Sequence, residues 1–159
     1  MAKECNSLKE LHETYIAGSE NKAYVDIELL CFATVRRVVR EAINSPTSKV
    51  YISTKVLKHI YDRHFHDKKQ SEIYFFIIDN LHRIICDPEM VRDDKESRKK
   101  KGRIVFLKLF GEEQYACTIE KTTHRKGKKL EEILCIVTAF KTKKEGRYLS
   151  QTAILYKKD

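Results

Sequence analysis

Apolar positions along the chain follow a helical spacing up to about Gly102 and an alternating one beyond it. The first 22 residues are polar and weakly patterned, with a short helix over Ser7–Ile16 and a break at Gly18–Asn21. From Asp26 a longer helix is predicted. Ile27, Leu30, Cys31, Thr34, Val35, Val38 and Ala42 recur on one face, with Asp26 and Glu28 in the first turn and Arg36, Arg37 and Arg40 on the polar face. Asn44-Ser-Pro46 ends it, because the residue before a proline is pushed out of the α region. Lys49–Ile52 is a small strand or an extended lead-in to the next helix, which Ser53 or Thr54 can cap. In that helix Val56, Leu57, Ile60 and Tyr61 form the apolar stripe. At about 100° per residue His64 falls near the middle of the stripe, His59 well off it and His66 nearly opposite. Asp67–Ser71 links to a third helix, whose face is Ile73, Phe76, Ile77, Leu81, Ile84 and Ile85, interrupted by Asn80 and stopped at Asp87-Pro88. Residues 92–103 form a charge run with seven basic and three acidic residues and no apolar content, a solvated loop.

The second half reads as strands: Ile104–Phe110, Gln114–Ile119, Glu132–Phe140 and a fourth over Thr152–Tyr156. Gly111-Glu-Glu is a turn, and Thr123–Lys129 with Gly127 is a basic turn. Tight turns imply an antiparallel meander, since parallel neighbours need a long crossover. The predicted fold is therefore α+β, with N-terminal helices packed on one face of a C-terminal antiparallel meander of about four strands. One domain covers residues 1–159: a helical part to 48, the His-bearing helix and its successor over 49–91, and the sheet over 103–156.

Charge adds a direction to this layout. Residues 1–90 carry 13 Lys/Arg against 13 Asp/Glu, whereas residues 91–159 carry 19 against 10, which is the whole net charge of +9. A positive field on the second half calls for an anionic partner, nucleic acid first. No apolar run is long enough to span a bilayer, and the N-terminus lacks an apolar signal core, so a cytoplasmic protein without membrane contact is expected. Five widely spaced cysteines with no Cys-x-x-Cys favour reduced core thiols over a zinc knuckle or disulfides.

The candidate chemistry centres on His59-Ile-Tyr-Asp-Arg63-His64. Imidazole can take a proton from one group and return it to another near neutral pH, which cleavage of RNA through its own 2′-hydroxyl requires. His59 can equally be a surface residue and His64 a core one, and His66 and His82 read as solvated. Helical geometry sets His59 and His64 about 140° apart, with no carboxylate or thiol at ligand spacing, which argues against a metal site. Lys108 interrupts an apolar strand, so its face must open to solvent, a ligand or an acid. Thr138 puts a hydroxyl into another apolar strand. A lysine and a hydroxyl on an open sheet face can steady a phosphorane, although Lys108 can also be the outward half of an alternating strand. A two-residue turn at Gly111-Glu112 pairs Lys108 with Tyr115, and a three-residue turn pairs it with Ala116. Arg63 can grip a phosphate. Lys121 and Arg125 in one basic turn, and Lys141, Arg147 and Tyr148 in another, form a candidate RNA-facing rim, with Tyr148 able to stack on a base. No Gly-rich phosphate loop, Gly-x-Ser-x-Gly or His-Glu-x-x-His is present, which speaks against nucleotide-driven motors, serine hydrolases and zincins.

Helical Val56-Leu-Lys-His59-Ile-Tyr-Asp-Arg63-His64, the helix closing at Asp87-Pro88-Glu-Met-Val91, the strand with Leu107-Lys108-Leu109 and the ending Val137-Thr138-Ala-Phe140 resemble the barnase–EndoU–colicin–RelE (BECR) superfamily of metal-independent RNases, in its phage-associated branch. The resemblance covers roughly residues 50–156. It implies cleavage through the 2′-hydroxyl to a 2′,3′-cyclic phosphate without cofactor or metal. His59 or His64 would be the general base or acid, Lys108 would hold the phosphate and Thr138 would assist. RNA would be the partner, with an acidic immunity or antitoxin protein as a further candidate. No partner acid is evident, although Glu120 is available. A non-catalytic RNA- or DNA-binding module and a phage or protein-interaction component are the alternatives.

Overall fold

The computed structural model describes residues 3–4, 29–64, 68–93, 103–142 and 154–158. Among these residues eight strands, β1 (Lys3–Glu4), β2 (Leu29–Thr34), β3 (Lys49–Ser53), β4 (Met90–Asp93), β5 (Arg103–Phe110), β6 (Glu113–Lys126), β7 (Lys129–Lys141) and β8 (Ile154–Lys157), form one sheet in the order β1-β2-β3-β7-β6-β5-β4-β8. Among the described residues three helices accompany it: α1 (Arg37–Ala42), α2 (Thr54–His64) and α3 (Lys68–Cys86).

This corrects the expected architecture. The sheet is mixed, with β1/β2 and β3/β7 parallel and the other neighbours antiparallel. Only β5-β6-β7 is the expected meander. The helix predicted from Asp26 is instead β2 followed by the six-residue α1. Leu29-Leu-Cys-Phe-Ala-Thr34 is a continuous apolar run, which helical spacing and a doubly covered strand fit equally well. Pairing with β3 decides for the strand. β3 and its parallel neighbour β7 are joined through α2, α3 and the strands β4 to β6, longer than the crossover that a parallel pair requires. Met90–Asp93, expected at the edge of the charged loop, is a strand between β5 and β8. The last strand pairs with β4, so it does not continue the meander.

Other expectations meet smaller adjustments. α3 starts at Lys68, taking in most of the expected link, and ends at Cys86 before Pro88. Asn80 interrupts its apolar face because the side-chain amide donates to the Phe76 carbonyl (2.9 Å). The basic turn shrinks to Gly127-Lys128, with Gly127 at φ +65°, and both strands run up to it. The Ser7–Ile16 helix, the Gly18–Asn21 break, His66 and most of the charge run lie outside the described residues.

α2 and α3 pack on one face of the sheet, α3 against β2, β5, β6 and β7 and α2 against β3, β7 and α3. Between them lies the main core: Leu57 and Ile60 from α2, Tyr74, Ile77, Leu81, Ile84 and Ile85 from α3, and Val50, Ile52, Phe106, Cys117 and Ile119 from the sheet. The Phe76 ring stacks on Tyr115 (4.7 Å) and meets Phe110 edge-on (5.0 Å). A second apolar cluster, Val105, Leu107 and Ala116 with Met90 and Phe140 beside it, lies on the opposite face of β4–β7.

Candidate functional site

α2 is fixed at its start by Ser53, whose Oγ accepts the Val56 N–H (3.1 Å). Its inner face is Leu57 and Ile60, and Lys58 pairs with Asp62 one turn on (3.0 Å). His59 and Arg63 are exposed and stand one turn apart on one side of the helix. The Arg63 guanidinium lies 5.7 Å from the Phe140 ring. His64 is the last residue of α2, and its side chain is not among those described. β3 pairs with β7 only at Val50 and Tyr51, and after Ser53 the chain enters α2, which packs against β7. One helical turn of His59 and Arg63 is thereby carried to the strand that bears Thr138.

Strand alternation sorts the rest. On β5, Ile104, Phe106, Lys108 and Phe110 face α3, while Arg103, Val105 and Leu107 face away. On β7 the alternation slips where the register with β6 shifts, so that Ile136 and Ala139 both join the main core. Thr138 and Phe140 consequently face away from α3, with Thr138 opposite Thr118 and Phe140 opposite Ala116. Lys108, opposite Tyr115 as a two-residue turn requires, is on the other side of the sheet from Thr138. The fold does not bring these two together.

Lys108 meets acids. Its ammonium donates to the Asp87 carbonyl (2.7 Å) just past the end of α3 and lies near Asp87 Oδ2 (3.3 Å) and Glu89 Oε1 (3.4 Å). Lys158 (3.1 Å) and Arg36 (3.4 Å) reach the same Asp87 carboxylate. The Lys158 and Lys108 hydrogen bonds hold the Asp87 carboxyl below its ordinary pKa, against a smaller opposing effect of burial. These cations close the C-terminal end of α3, where backbone carbonyls lack helical partners. Two rim candidates are likewise engaged within the protein: Lys121 donates to the Ile43 carbonyl, and Lys141 to Glu113 Oε1 (2.6 Å), which raises the pKa of Lys141. Arg125 is on β6 with its side chain undescribed, and Arg147 and Tyr148 lie outside the described residues.

The face turned away from α3 holds groups that sequence reasoning missed or left without a role. Arg103 on β5 pairs in register with Glu120 on β6, and Glu120 with Cys135 on β7. Arg103 Nε is 4.0 Å from Glu120 Oε1, beyond hydrogen-bond reach. Among the described residues, two buried side-chain atoms have no hydrogen-bond partner, Arg103 Nε and Thr138 Oγ1, and both belong to this face. Unsatisfied buried polar atoms are rare in folded proteins, and two on one face single it out as the candidate place for a polar ligand. Burial, with the Glu120 carboxylate alongside, pushes the Cys135 thiol up to about 11, so it stays protonated and is a poor nucleophile. The alternation of β5 and β6 could have shown that Arg103 and Glu120 share a face with Val105 and Thr118. Finding Thr138 beside them required the register shift in β7. Arginine, carboxylate and hydroxyl on one sheet face can together bind a phosphate, and α2 reaches that face through Arg63 at the Phe140 ring.

Residues 34–146, more than half of the chain, match the family model described as phage-Barnase-EndoU-ColicinE5/D-RelE like nuclease3. The chain belongs to this nuclease family. The match begins at the end of β2 and takes in α2, α3 and β3 to β7, so both the His59-bearing turn and the Arg103–Thr138 face fall within the nuclease region. It bears out the phage-associated branch of the BECR superfamily. No curated protein and no solved structure matches the chain.

Proposed function

We propose that this nuclease is an endoribonuclease that cleaves RNA through the 2′-hydroxyl, leaving a 2′,3′-cyclic phosphate, with its site on the β5–β7 face bordered by α2. The observation that carries this reading is the nuclease-family match over the region that holds all of these groups. The 2′-oxygen attacks the adjacent phosphorus as its proton passes to a base. The bond from phosphorus to the 5′-oxygen then breaks, and that oxygen takes a proton from an acid. The α2 imidazoles, His59 and His64, and the Glu120 carboxylate are the groups proposed for these two transfers. Charge gathering on the phosphorane is met by Arg63 and Arg103 and by a hydrogen bond from the Thr138 hydroxyl. Arginine presents several donors in a fixed fork, which suits phosphate oxygens. Lys108, held between Asp87 and Glu89, is assigned to the fold. No metal enters the scheme, since fixed cations and donors supply the positive charge.

Incubation with mixed RNA in EDTA tests this directly. Fragments ending in 2′,3′-cyclic phosphate are expected, and RNA carrying 2′-O-methyl groups should resist. Ends bearing 3′-hydroxyls, or equal cleavage of DNA, would overturn the mechanism. A folded protein that binds RNA without cutting any of a diverse set would overturn the catalytic reading itself.

A further inference from the structure

β6 and β7 stay paired well past their neighbours. β5 leaves β6 at the Arg103–Glu120 pair, and β3 reaches β7 only at Leu134 and Cys135. From Lys121 and Ile133 outward, the hairpin is a two-stranded ribbon with no other strand beside it among the described residues, paired out to Lys126–Lys129 and turned at Gly127-Lys128. Six residues on β6 and five on β7 give it a reach of about 17 to 20 Å. Residues 121–130 contain five Lys/Arg, no Asp or Glu and no Phe, Tyr or Trp. Lys128, Lys129 and Leu130 are exposed, and the acidic pair Glu131-Glu132 sits nearer the root, opposite His124 and Thr123.

We propose that this ribbon is a docking arm for the sugar-phosphate backbone of double-helical RNA, which holds a stem beside the strand presented to the nuclease face. It rests on the reading of RNA as substrate and names the structured class of RNA that is engaged. Proteins that track unpaired strands place aromatic rings where bases can stack. The outer ribbon has no Phe, Tyr or Trp. Cations without stacking surfaces are suited to duplex RNA, whose A-form backbone presents regularly placed phosphates and hides its bases. A ribbon braced by cross-strand pairs also presents its charges at fixed spacing, as a regular backbone requires.

The test is the affinity of the full chain for RNA of about 16 nucleotides, 2′-O-methylated so that it is not cut, as a duplex and as a single strand. In K128A/K129A, duplex affinity should fall about tenfold near 0.1 M salt, and the salt slope should flatten by roughly 1.5 to 2, as expected for two lost phosphate contacts. Single-strand affinity should fall clearly less. Unchanged duplex affinity, an equal loss on the single strand, or tighter wild-type binding to a DNA duplex of the same length would overturn the proposal. Cleavage of unmodified RNA by the wild-type protein is read separately. A ribbon that binds duplex in a protein that does not cut sinks the nuclease reading alone, and the reverse pattern sinks the ribbon alone.

Discussion

Two residues illustrate how similar sequence cues part ways once register is known. Lys108 and Thr138 each place a polar group in an apolar strand, and each invited a role on a phosphate. Lys108 is spent on the end of α3, whereas the Thr138 hydroxyl is buried with no partner among the described residues. An unsatisfied buried hydroxyl contributes nothing to stability, and removing it spares its desolvation. Thr138→Val should therefore leave the thermal midpoint unchanged or raise stability by about 1 kcal/mol, while RNA cleavage falls at least tenfold. A variant that loses activity only in proportion to lost stability would argue that Thr138 serves packing. The Asp87 cluster gives the opposite signature. Its carboxyl titrates lower in the folded protein than in the unfolded chain, so its stabilisation is in place above about pH 4 and is lost as pH falls through the folded value. Asp87 is 43% exposed, and solvent screening limits its worth to about 1 kcal/mol. Asp87→Asn should be modestly less stable at pH 7, and the gap to wild type should close on acidification below pH 4, as followed by denaturant melts.

Elements show a similar split between what periodicity reveals and what pairing decides. α2 and α3 were legible because each has a wide apolar stripe, a capping residue or a proline at a boundary, and more than two turns over which the period can repeat. Ser53 was one of two capping candidates, and its Oγ–Val56 bond selects it. Ser53→Ala should cost about 1 kcal/mol. Because His59 and Arg63 ride on the same helix, cleavage should weaken at temperatures where α2 frays, well below the global transition. Amide exchange across residues 55–63 would report that fraying, and unchanged protection there would remove the cap from the account. β2 was illegible for a physical reason: a six-residue apolar run carries no period, and only its bonds to β3 distinguish it from a helical turn. The register shift opposite Thr118 was hidden as well, yet it determines which face Thr138 occupies.

At the scale of the molecule, the charge imbalance between the two halves was correctly visible, but its use was not. Net charge counts lysines without regard to their partners, and Lys108, Lys121, Lys141 and Lys158 are all engaged inside the protein. Among the described residues, the surfaces proposed for RNA are the α2 flank with Arg63 and Arg103 on the sheet, and the outer ribbon, both reached along the same pair of strands, β6 and β7. Mixed topology makes that possible. β3 enters beside β7 for only two residue pairs, so one half of β7 is left to α2 and the other runs out into the ribbon. The salt dependence of RNA binding should accordingly be set by about three to five phosphate contacts, well short of the net +9. On duplex RNA that corresponds to a slope of log affinity against log salt of roughly −2.7 to −4.5. A titration between about 50 and 200 mM salt measures it, since at those strengths charges farther away than a Debye length contribute little. A slope steeper than about −6 would mean that the engaged lysines let go of their partners to meet RNA, and one near zero would remove the electrostatic grip on which both proposed surfaces depend.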